Sequence, residues 1–260
     1  MRSVKLAVLM IGALGIAPVA LVSGSGAQES KPTQSPAGSE RAQPAHQPPR
    51  VDQEPKPVVT PVSQPVYKPV PRGAPGGRVA GGTRGIRQPD LPFLTALAPD
   101  HTGLTIQEQP TLYWFISRRT SLPLEVTVVD PRTPRPVLEV RVTPPLQGGT
   151  YGIRLADHGV SLSPGVRYRW FVALIPDADR RSRDILAGGA IERVPAPVGL
   201  GERVAQAASV ELPAVYADAG LWYDALAAIS ELIDAAPHEA ALREHRASLI
   251  SQAELPTITE

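Results

Sequence analysis

The 260-residue chain has no cysteine, few aromatic residues and almost no net charge. The absence of cysteine excludes a disulfide scaffold, thiolate metal sites, iron–sulfur clusters, cysteine nucleophiles and a lipid-modified N-terminal cysteine. The formal net charge of +1 provides no general case for nucleic-acid or membrane-surface binding. Proline, by contrast, occurs 30 times, which is roughly twice its usual share, so part of the chain is not expected to pack.

Residues 1–27 have the layout of a secretory signal peptide. Arg2 and Lys5 form a positive start, residues 6–22 are apolar but interrupted by Gly and Pro, and Ser25-Gly26-Ala27 supplies small residues at a cleavage site. The alternative is an uncleaved anchor, but the apolar run is short for a membrane span and contains helix breakers. We therefore expect cleavage, a periplasmic or secreted location, and no later segment that spans a membrane.

Residues 28–88 are rich in proline and contain few large apolar side chains. Each proline removes a backbone donor and disfavours helix at the preceding residue. The segment carries nine Lys or Arg against four Asp or Glu, which favours extension. We predict a disordered linker of polyproline-II character. Its Gly- and Arg-rich end, residues 72–85, is interpreted as a hinge, with an anion cradle as the alternative.

Residues 89–197 show short apolar–polar alternations separated by Pro, Gly and Asp. Period-two alternation without an intervening amphipathic helix predicts an antiparallel β-sandwich rather than a parallel α/β sheet. About seven strands in about 100 residues are typical of an immunoglobulin-like module. The clearest predicted strands are a run that begins at Thr111 and places Leu112, Trp114 and Ile116 on one face, and the runs 124–128, 138–142, 151–155, 167–175 and 185–194.

Two short patterns within this region resemble fibronectin type III domains. Leu162-x-Pro164-Gly165-x-x-Tyr168-x-Trp170 resembles their tyrosine corner, in which the Tyr hydroxyl bonds back to the turn. Pro110-x-Leu112-x-Trp114 resembles their second strand. We therefore place Trp114, Tyr168 and Trp170 in the core rather than on a ligand-binding surface.

Residues 198–260 are predicted to be helical. A helix follows Gly220 and ends at Pro237, and another covers residues 239–253. The segment resembles one tetratricopeptide hairpin, although Ser209 stands where Trp is usual and Pro213 interrupts the first helix. One hairpin cannot close its own core, so it must pack on other helices, on the sandwich or on a partner. The residues that carry the resemblance are Leu212, Tyr216, Gly220, Trp222, Ala225, Ile229, Leu232 and Pro237.

The chain as a whole is similar to a bacterial family catalogued as domain of unknown function 928. The resemblance runs from about Arg72 to the C-terminal helices. It implies export and a sandwich followed by helices, and it implies no activity. The segments that carry it are residues 72–76, 97–99, 109–114, 164–170 and 179–184.

Sequence motifs for catalysis are not found. The chain has no Gly-x-Ser-x-Gly, Ser-x-x-Lys or His-Glu-x-x-His motif. His238 and His245 are two helical turns apart, whereas zinc ligands on one helix are normally one turn apart. Paired carboxylates for glycoside hydrolysis would need a cleft that the pattern does not supply. We predict no catalytic residue, no metal and no cofactor.

The strongest candidate for binding is the loop 177–184 between the last two predicted strands, where immunoglobulin-like modules carry binding loops. Its three Arg side chains are suited to a carboxylate, phosphate or sulfated sugar. Its Asp residues suit Ca²⁺, but three neighbouring cations oppose a divalent ion. The alternative is a solvated hairpin whose ion pairs stabilise little. The candidate residues are Asp177, Asp179, Arg180, Arg181, Arg183 and Asp184.

We therefore expect an exported, non-enzymatic binding or scaffolding protein of the cell envelope. Its expected partner is an envelope protein or an anionic polymer, not a nucleic acid, and its oligomeric state is left open. The alternative is a carbohydrate- or envelope-polymer-binding module with an exposed aromatic row, for which Tyr113 and Phe115 are the only hint. An enzyme ranks third, and a clustered polar cleft would favour it.

Overall fold

The structure is a computed structural model that describes residues 9–10, 63–70, 78–79 and 91–258. The rest of the predicted leader and linker lies outside the described residues. Within the described ranges, no helix is both long and apolar enough to cross a membrane.

In the described part of the chain, nine strands form two β-sheets. They are β1 (Leu9–Met10), β2 (Leu94–Ala96), β3 (Gly103–Thr105), β4 (Thr111–Ile116), β5 (Leu124–Val129), β6 (Leu138–Val142), β7 (Gly149–Arg154), β8 (Arg167–Leu174) and β9 (Ile185–Arg193). The first sheet has the order β1-β7-β4-β2, and the second has the order β3-β9-β8-β5-β6. β1 lies within the predicted signal peptide and pairs with the edge of β7; cleavage of the leader remains a prediction.

Strands β4 to β9 coincide with the predicted runs to within two residues at each end. β2 and β3 were not predicted, because each has three residues that are all buried and therefore show no alternation. β3 pairs parallel to β9, whereas every other strand pair is antiparallel. The prediction of a wholly antiparallel sandwich is wrong at this edge.

Both faces of β4 are covered. Leu112, Trp114 and Ile116 are buried in the core that the two sheets share. Tyr113 and Phe115 are also buried, with 7% and 5% of their surface exposed. The exposed aromatic row suggested for these two residues is therefore not present.

Four α-helices follow the sheets: α1 (Leu200–Gln206), α2 (Leu212–Asp218), α3 (Trp222–Ala235) and α4 (Ala240–Gln252). Pro213 does not interrupt a helix, because it lies in the first turn of α2, where its missing N–H is not needed. Gly220 joins α2 to α3 with φ of 74°, in the left-handed region that glycine adopts at little cost.

The helices pack against the sheets, and the two share one hydrophobic core. The Trp222 Nε1–H donates to the Leu97 carbonyl at 2.9 Å. The Tyr223 hydroxyl donates to the Ala190 carbonyl at 3.0 Å and accepts from Trp170 Nε1 at 2.9 Å. Trp222, Tyr223 and the apolar residues of α3 and α4 belong to the same buried cluster as the strand residues.

Candidate functional site

The loop Asp177–Asp184 connects β8 to β9 and is held by ion pairs within the fold. Arg181 contacts Glu125 at 3.0 Å and Asp184 at 2.7 Å. Arg180 and Arg183 both face Asp177, at 3.5 and 3.9 Å. The hydrogen bond from Arg181, helped by one from Arg141, lowers the pKa of the Glu125 carboxyl. Sequence reasoning did not connect Glu125 to this loop.

This pairing divides the candidate residues into two groups. Arg181 and Asp184 belong to a network anchored on the buried Glu125 carboxylate. Arg180 and Arg183 keep 68% and 52% of their side-chain surface exposed, and the Asp179 N–H donates to Asp177 Oδ1 at 3.1 Å. The arrangement is that of an internally paired hairpin, with Arg180 and Arg183 as the cations that are open to an anionic partner.

A cleft of about 300 Å³ opens where the sheets meet the helices. One wall is built from residues 105–111 and from Arg154 and Ala156 at the end of β7. The other wall is built from α2 and α3. On α3 the lining positions are Tyr223 and four residues that share one helix face through i, i+3, i+4 and i+7 spacing, namely Asp224, Ala227, Ala228 and Glu231. The two alanine side chains are small and leave room beside the helix, and the two acidic residues precede and follow them on the same face.

Asp224 carries the buried carboxyl group of this cleft, with 3% of its surface exposed. Its Oδ2 atom accepts the Ile106 N–H at 3.2 Å, and its Oδ1 atom has no hydrogen-bond partner among the residues that the structure describes. Burial raises the pKa of Asp224 to about 6, although the Thr105 hydroxyl and the Ile106 N–H act in the opposite direction. A carboxyl with a perturbed pKa in a cleft is a candidate functional group.

The remaining lining of the cleft is mostly polar. It includes Gln107, Gln109, the half-buried Tyr216 and one arginine, Arg154. Burial raises the pKa of Tyr216, and the charges of Asp224 and Glu231 raise it further. Hydroxyl, amide, carboxyl and guanidinium groups therefore converge on one space, which suits a polar ligand.

The two carboxyl groups are not arranged to cleave a bond between them. Asp224 and Glu231 are seven residues apart on one helix, which separates their backbones by about 10 Å along the axis. Both lie on the same wall, whereas the carboxylates of glycosidases flank the scissile bond. Among the described residues, no cluster of three or more His, Asp or Glu side chains could hold a metal ion.

The raised pKa of Asp224 predicts a pH-dependent stability. Its pKa of about 6 in the folded protein lies above the ordinary value of 3.8, so the folded state binds the proton more tightly. The stabilisation is full below about pH 4 and is lost as the pH rises through 6, by about 3 kcal/mol in total. Asp224→Asn removes this titration. We expect wild type to lose about 2–3 kcal/mol relative to the variant between pH 4 and 7.5, measured by urea unfolding.

Glu231→Gln is the matched control on the same helix face, because Glu231 is exposed and its removal leaves the titration of Asp224 in place. A stability difference between wild type and Asp224→Asn that is the same at every pH would contradict the assignment.

Residues 63–70, here called the docked segment, lie against the helices, although the sequence predicted them as disordered linker. The Gln252 amide clamps their backbone: its Oε1 accepts the Tyr67 N–H at 2.7 Å and its Nε2 donates to the Pro65 carbonyl at 2.9 Å. The Lys68 N–H donates to the Ala217 carbonyl at 3.0 Å. Composition did not predict this contact, because the partners follow the segment by about 150 to 190 residues.

Tyr67 fixes the position of the docked segment. Its ring is 8% exposed and packs edge-on against Trp222 with centroids 5.1 Å apart, and its hydroxyl lies 3.2 Å from His101 Nε2. A Cβ atom at Gly220 would stand 2.8 Å from the Lys68 carbonyl oxygen, so glycine allows the segment to lie this close. We call the surface formed by His101, Ala217, Gly220, Trp222 and Gln252 the docking groove.

Comparison with known proteins identifies one family. The family described as Domain of Unknown Function (DUF928) matches residues 79–260. No curated protein matches the chain.

Proposed function

Starting from the finding that the chain belongs to the DUF928 family, we propose that it is an exported, non-enzymatic binding or scaffolding protein of the cell envelope. The cleft between the sheets and the helices is its ligand site. The observation that carries this proposal is a buried carboxyl, Asp224, among converging polar side chains in a space of about 300 Å³. That volume is at the lower end of the range for sites of small ligands. Export is supported by the layout of residues 1–27.

The polar lining specifically favours the second candidate, binding of a carbohydrate or another envelope polymer. Amide, carboxyl and guanidinium groups hydrogen-bond to hydroxyl groups, and the half-buried Tyr216 ring offers an apolar face beside them. The exposed Arg180 and Arg183 of the β8–β9 loop supply cations for an anionic polymer. The cleft replaces Tyr113 and Phe115 as the location of such a site.

The finer fold assignments are part of this proposal. A fibronectin-like sandwich is supported by Tyr168, whose hydroxyl accepts the Ser163 N–H at 3.0 Å across the turn. A tetratricopeptide-like hairpin is supported by the left-handed Gly220 between α2 and α3, and by Ala217 and Ala225, which are fully buried. In such hairpins small residues allow two helices to approach closely.

Filling the cleft tests the proposal. Ala228→Trp places an indole in the space between Asp224 and Glu231, and we expect it to weaken binding of the full chain to purified peptidoglycan or to alginate at least about tenfold, the equivalent of about 1.4 kcal/mol. Co-sedimentation measures the first polymer and titration calorimetry the second. Ala235→Trp, at an exposed position on the same helix, is the matched control and should bind as wild type does.

Three other results would each change the proposal. If wild type binds neither polymer, the polymer candidate is wrong. If Ala228→Trp binds as wild type does, the cleft is not the site. Release of polymer fragments by wild type but not by Asp224→Asn would show an enzyme and contradict the non-enzymatic proposal.

A further inference from the structure

The docked segment is part of a short repeat in the sequence. Pro-Val dipeptides begin at residues 57, 61, 65 and 69, so the pair recurs every four residues. The third unit, Pro65-Val66-Tyr67-Lys68, contains the only aromatic residue between positions 28 and 88. The structure seats this unit in the docking groove, with Pro65 and Tyr67 buried and Val66 and Val70 exposed to 58% and 40%. Because only the third unit contains a tyrosine, Tyr67 distinguishes this unit from the other three Pro-Val units.

The docking groove binds an extended backbone and the side chains of Tyr67 and Lys68. Gln252 bonds to the main chain of residues 65–67 in the way that a neighbouring strand would. Trp222 and His101 receive the Tyr67 ring and hydroxyl, and Asp218 pairs with the Lys68 ammonium. Proline-rich segments are preorganised in the extended form, which lowers the entropy lost on binding. The groove therefore fits a segment of the form Pro-x-Tyr-Lys-Pro.

The polar side-chain contacts of the docked segment lie at the surface. Gln252 and Gln64, whose Nε2 atom donates to the Ser248 hydroxyl, are exposed side chains, and the Lys68–Asp218 pair is exposed to 65% and 38%. Residues 71–78 separate the segment from Val79, which forms a backbone bridge with Gly188. Eight residues reach at most about 29 Å when extended. They include three glycines.

We propose that the docking groove is an exchangeable site for Pro-x-Tyr-Lys-Pro segments, and that its second occupant is the docked segment of another copy of this chain. Every copy carries both the groove and the segment, so exchange preserves each contact listed above and requires no new surface. The charges favour the pairing, because residues 201–260 hold ten Asp or Glu against three Arg while the linker is basic. This proposal shares no residue with the cleft and does not depend on it.

A peptide assay tests whether the groove accepts the segment from outside. The probe is a fluorescent peptide of residues 61–72, and the receptor is the full chain with Tyr67→Ala. In wild type, the chain's own docked segment competes with the peptide for the groove, at an effective concentration on the order of millimolar. We expect the variant to bind the peptide at least about tenfold more tightly than wild type by fluorescence anisotropy. A peptide with Tyr67→Ala should not bind, and Gln252→Ala in the receptor should weaken binding.

A mixing experiment tests whether the second occupant is another copy. Tyr67→Ala provides a vacant groove without a competent segment, and Gln252→Ala provides a competent segment with a weakened groove. Each variant alone should be monomeric by light scattering after gel filtration, and an equimolar mixture should form a one-to-one heterodimer. Wild type should shift from monomer to dimer as its concentration rises. Peptide binding without a heterodimer would overturn the proposal, because the occupant would then not be a second copy.

A charge-swapped pair keeps the test valid if Tyr67→Ala fails to fold. Lys68→Glu and Asp218→Lys change exposed or half-buried residues. Within either variant, residues 68 and 218 carry the same charge and repel each other. Between the two variants, residue 68 of one copy and residue 218 of the other carry opposite charges. Their mixture should dimerise, and two copies of the same variant should not. A mixture that stays monomeric, together with no peptide binding by either receptor, would show that the docked segment is a fixed part of the fold and would overturn the proposal.

Discussion

Replacing Trp222 with alanine is expected to lower the free energy of unfolding by about 3–5 kcal/mol, because a fully buried indole is lost and a cavity remains. The effect is expected at the upper end of that range. The same change removes the bond from Nε1 to the Leu97 carbonyl and the face on which the Tyr67 ring packs. Chemical denaturation followed by circular dichroism measures it.

Two further variants separate the contributions at this position. Trp222→Phe keeps most of the apolar contact but leaves the Leu97 carbonyl without its partner, so we expect a loss of about 1–3 kcal/mol. Val198→Ala truncates a fully exposed apolar residue just before α1 and should change stability by less than about 0.5 kcal/mol. Two separate unfolding transitions, only one of them shifted by Trp222→Ala, would show that the helices do not share a core with the sheets.

Tyr168→Ala is the second change with a large expected effect. Tyr168 is 2% exposed, and its ring belongs to the core that the two sheets share. We expect a loss of about 3–5 kcal/mol from the cavity. Tyr168→Phe keeps the ring but leaves the Ser163 N–H without its acceptor, which should cost about 1–2 kcal/mol. Thermal and denaturant unfolding of both variants provide the measurement.

The order of these two losses is itself informative. If Tyr168→Phe were as damaging as Tyr168→Ala, the hydroxyl would matter more than the ring. The loss would then be attributed to Arg132, which donates to the Tyr168 hydroxyl at 3.5 Å and whose hydrogen bond to Asp130 lowers the pKa of that carboxyl to about 2. A denaturation midpoint unchanged in both variants would contradict the placement of Tyr168 in the core.

Local patterns in the sequence predicted much of the fold. Strands β5 and β6 and the first half of β8 alternate in hydrophobicity because one face of each is buried, and α3 has an unbroken apolar stripe. β2 and β3 could not be recognised in this way, because three consecutive buried residues carry no period. The burial of Tyr113 was missed for a related reason, since the groups that cover β4 from outside come from α3, more than 100 residues later.

The candidate sites were harder to predict than the fold. The Arg loop was correctly placed between two strands, but its partner Glu125 lies on β5 and is far from it in sequence. The cleft combines residues from Thr105 to Glu231, and no sequence motif joins its two walls. Two alanines on a helix face do not by themselves predict a cleft, because the residues of the other wall come from distant parts of the sequence. The docked segment was assigned to the linker because a high proline content predicts an extended backbone, but it does not predict whether that backbone binds to a folded domain.

The parallel pairing of β3 with β9 has a consequence for the order of folding. It joins Gly103 to Ile191, and no hairpin can form such a pair locally. The Trp222 bond to Leu97 spans 125 residues, and the Gln252 bond to Tyr67 spans 185. Contacts between positions so distant in sequence slow folding, because long loops must close before the contacts form. During synthesis, the early part of the chain must therefore wait for α4 to emerge from the ribosome before its own packing is complete.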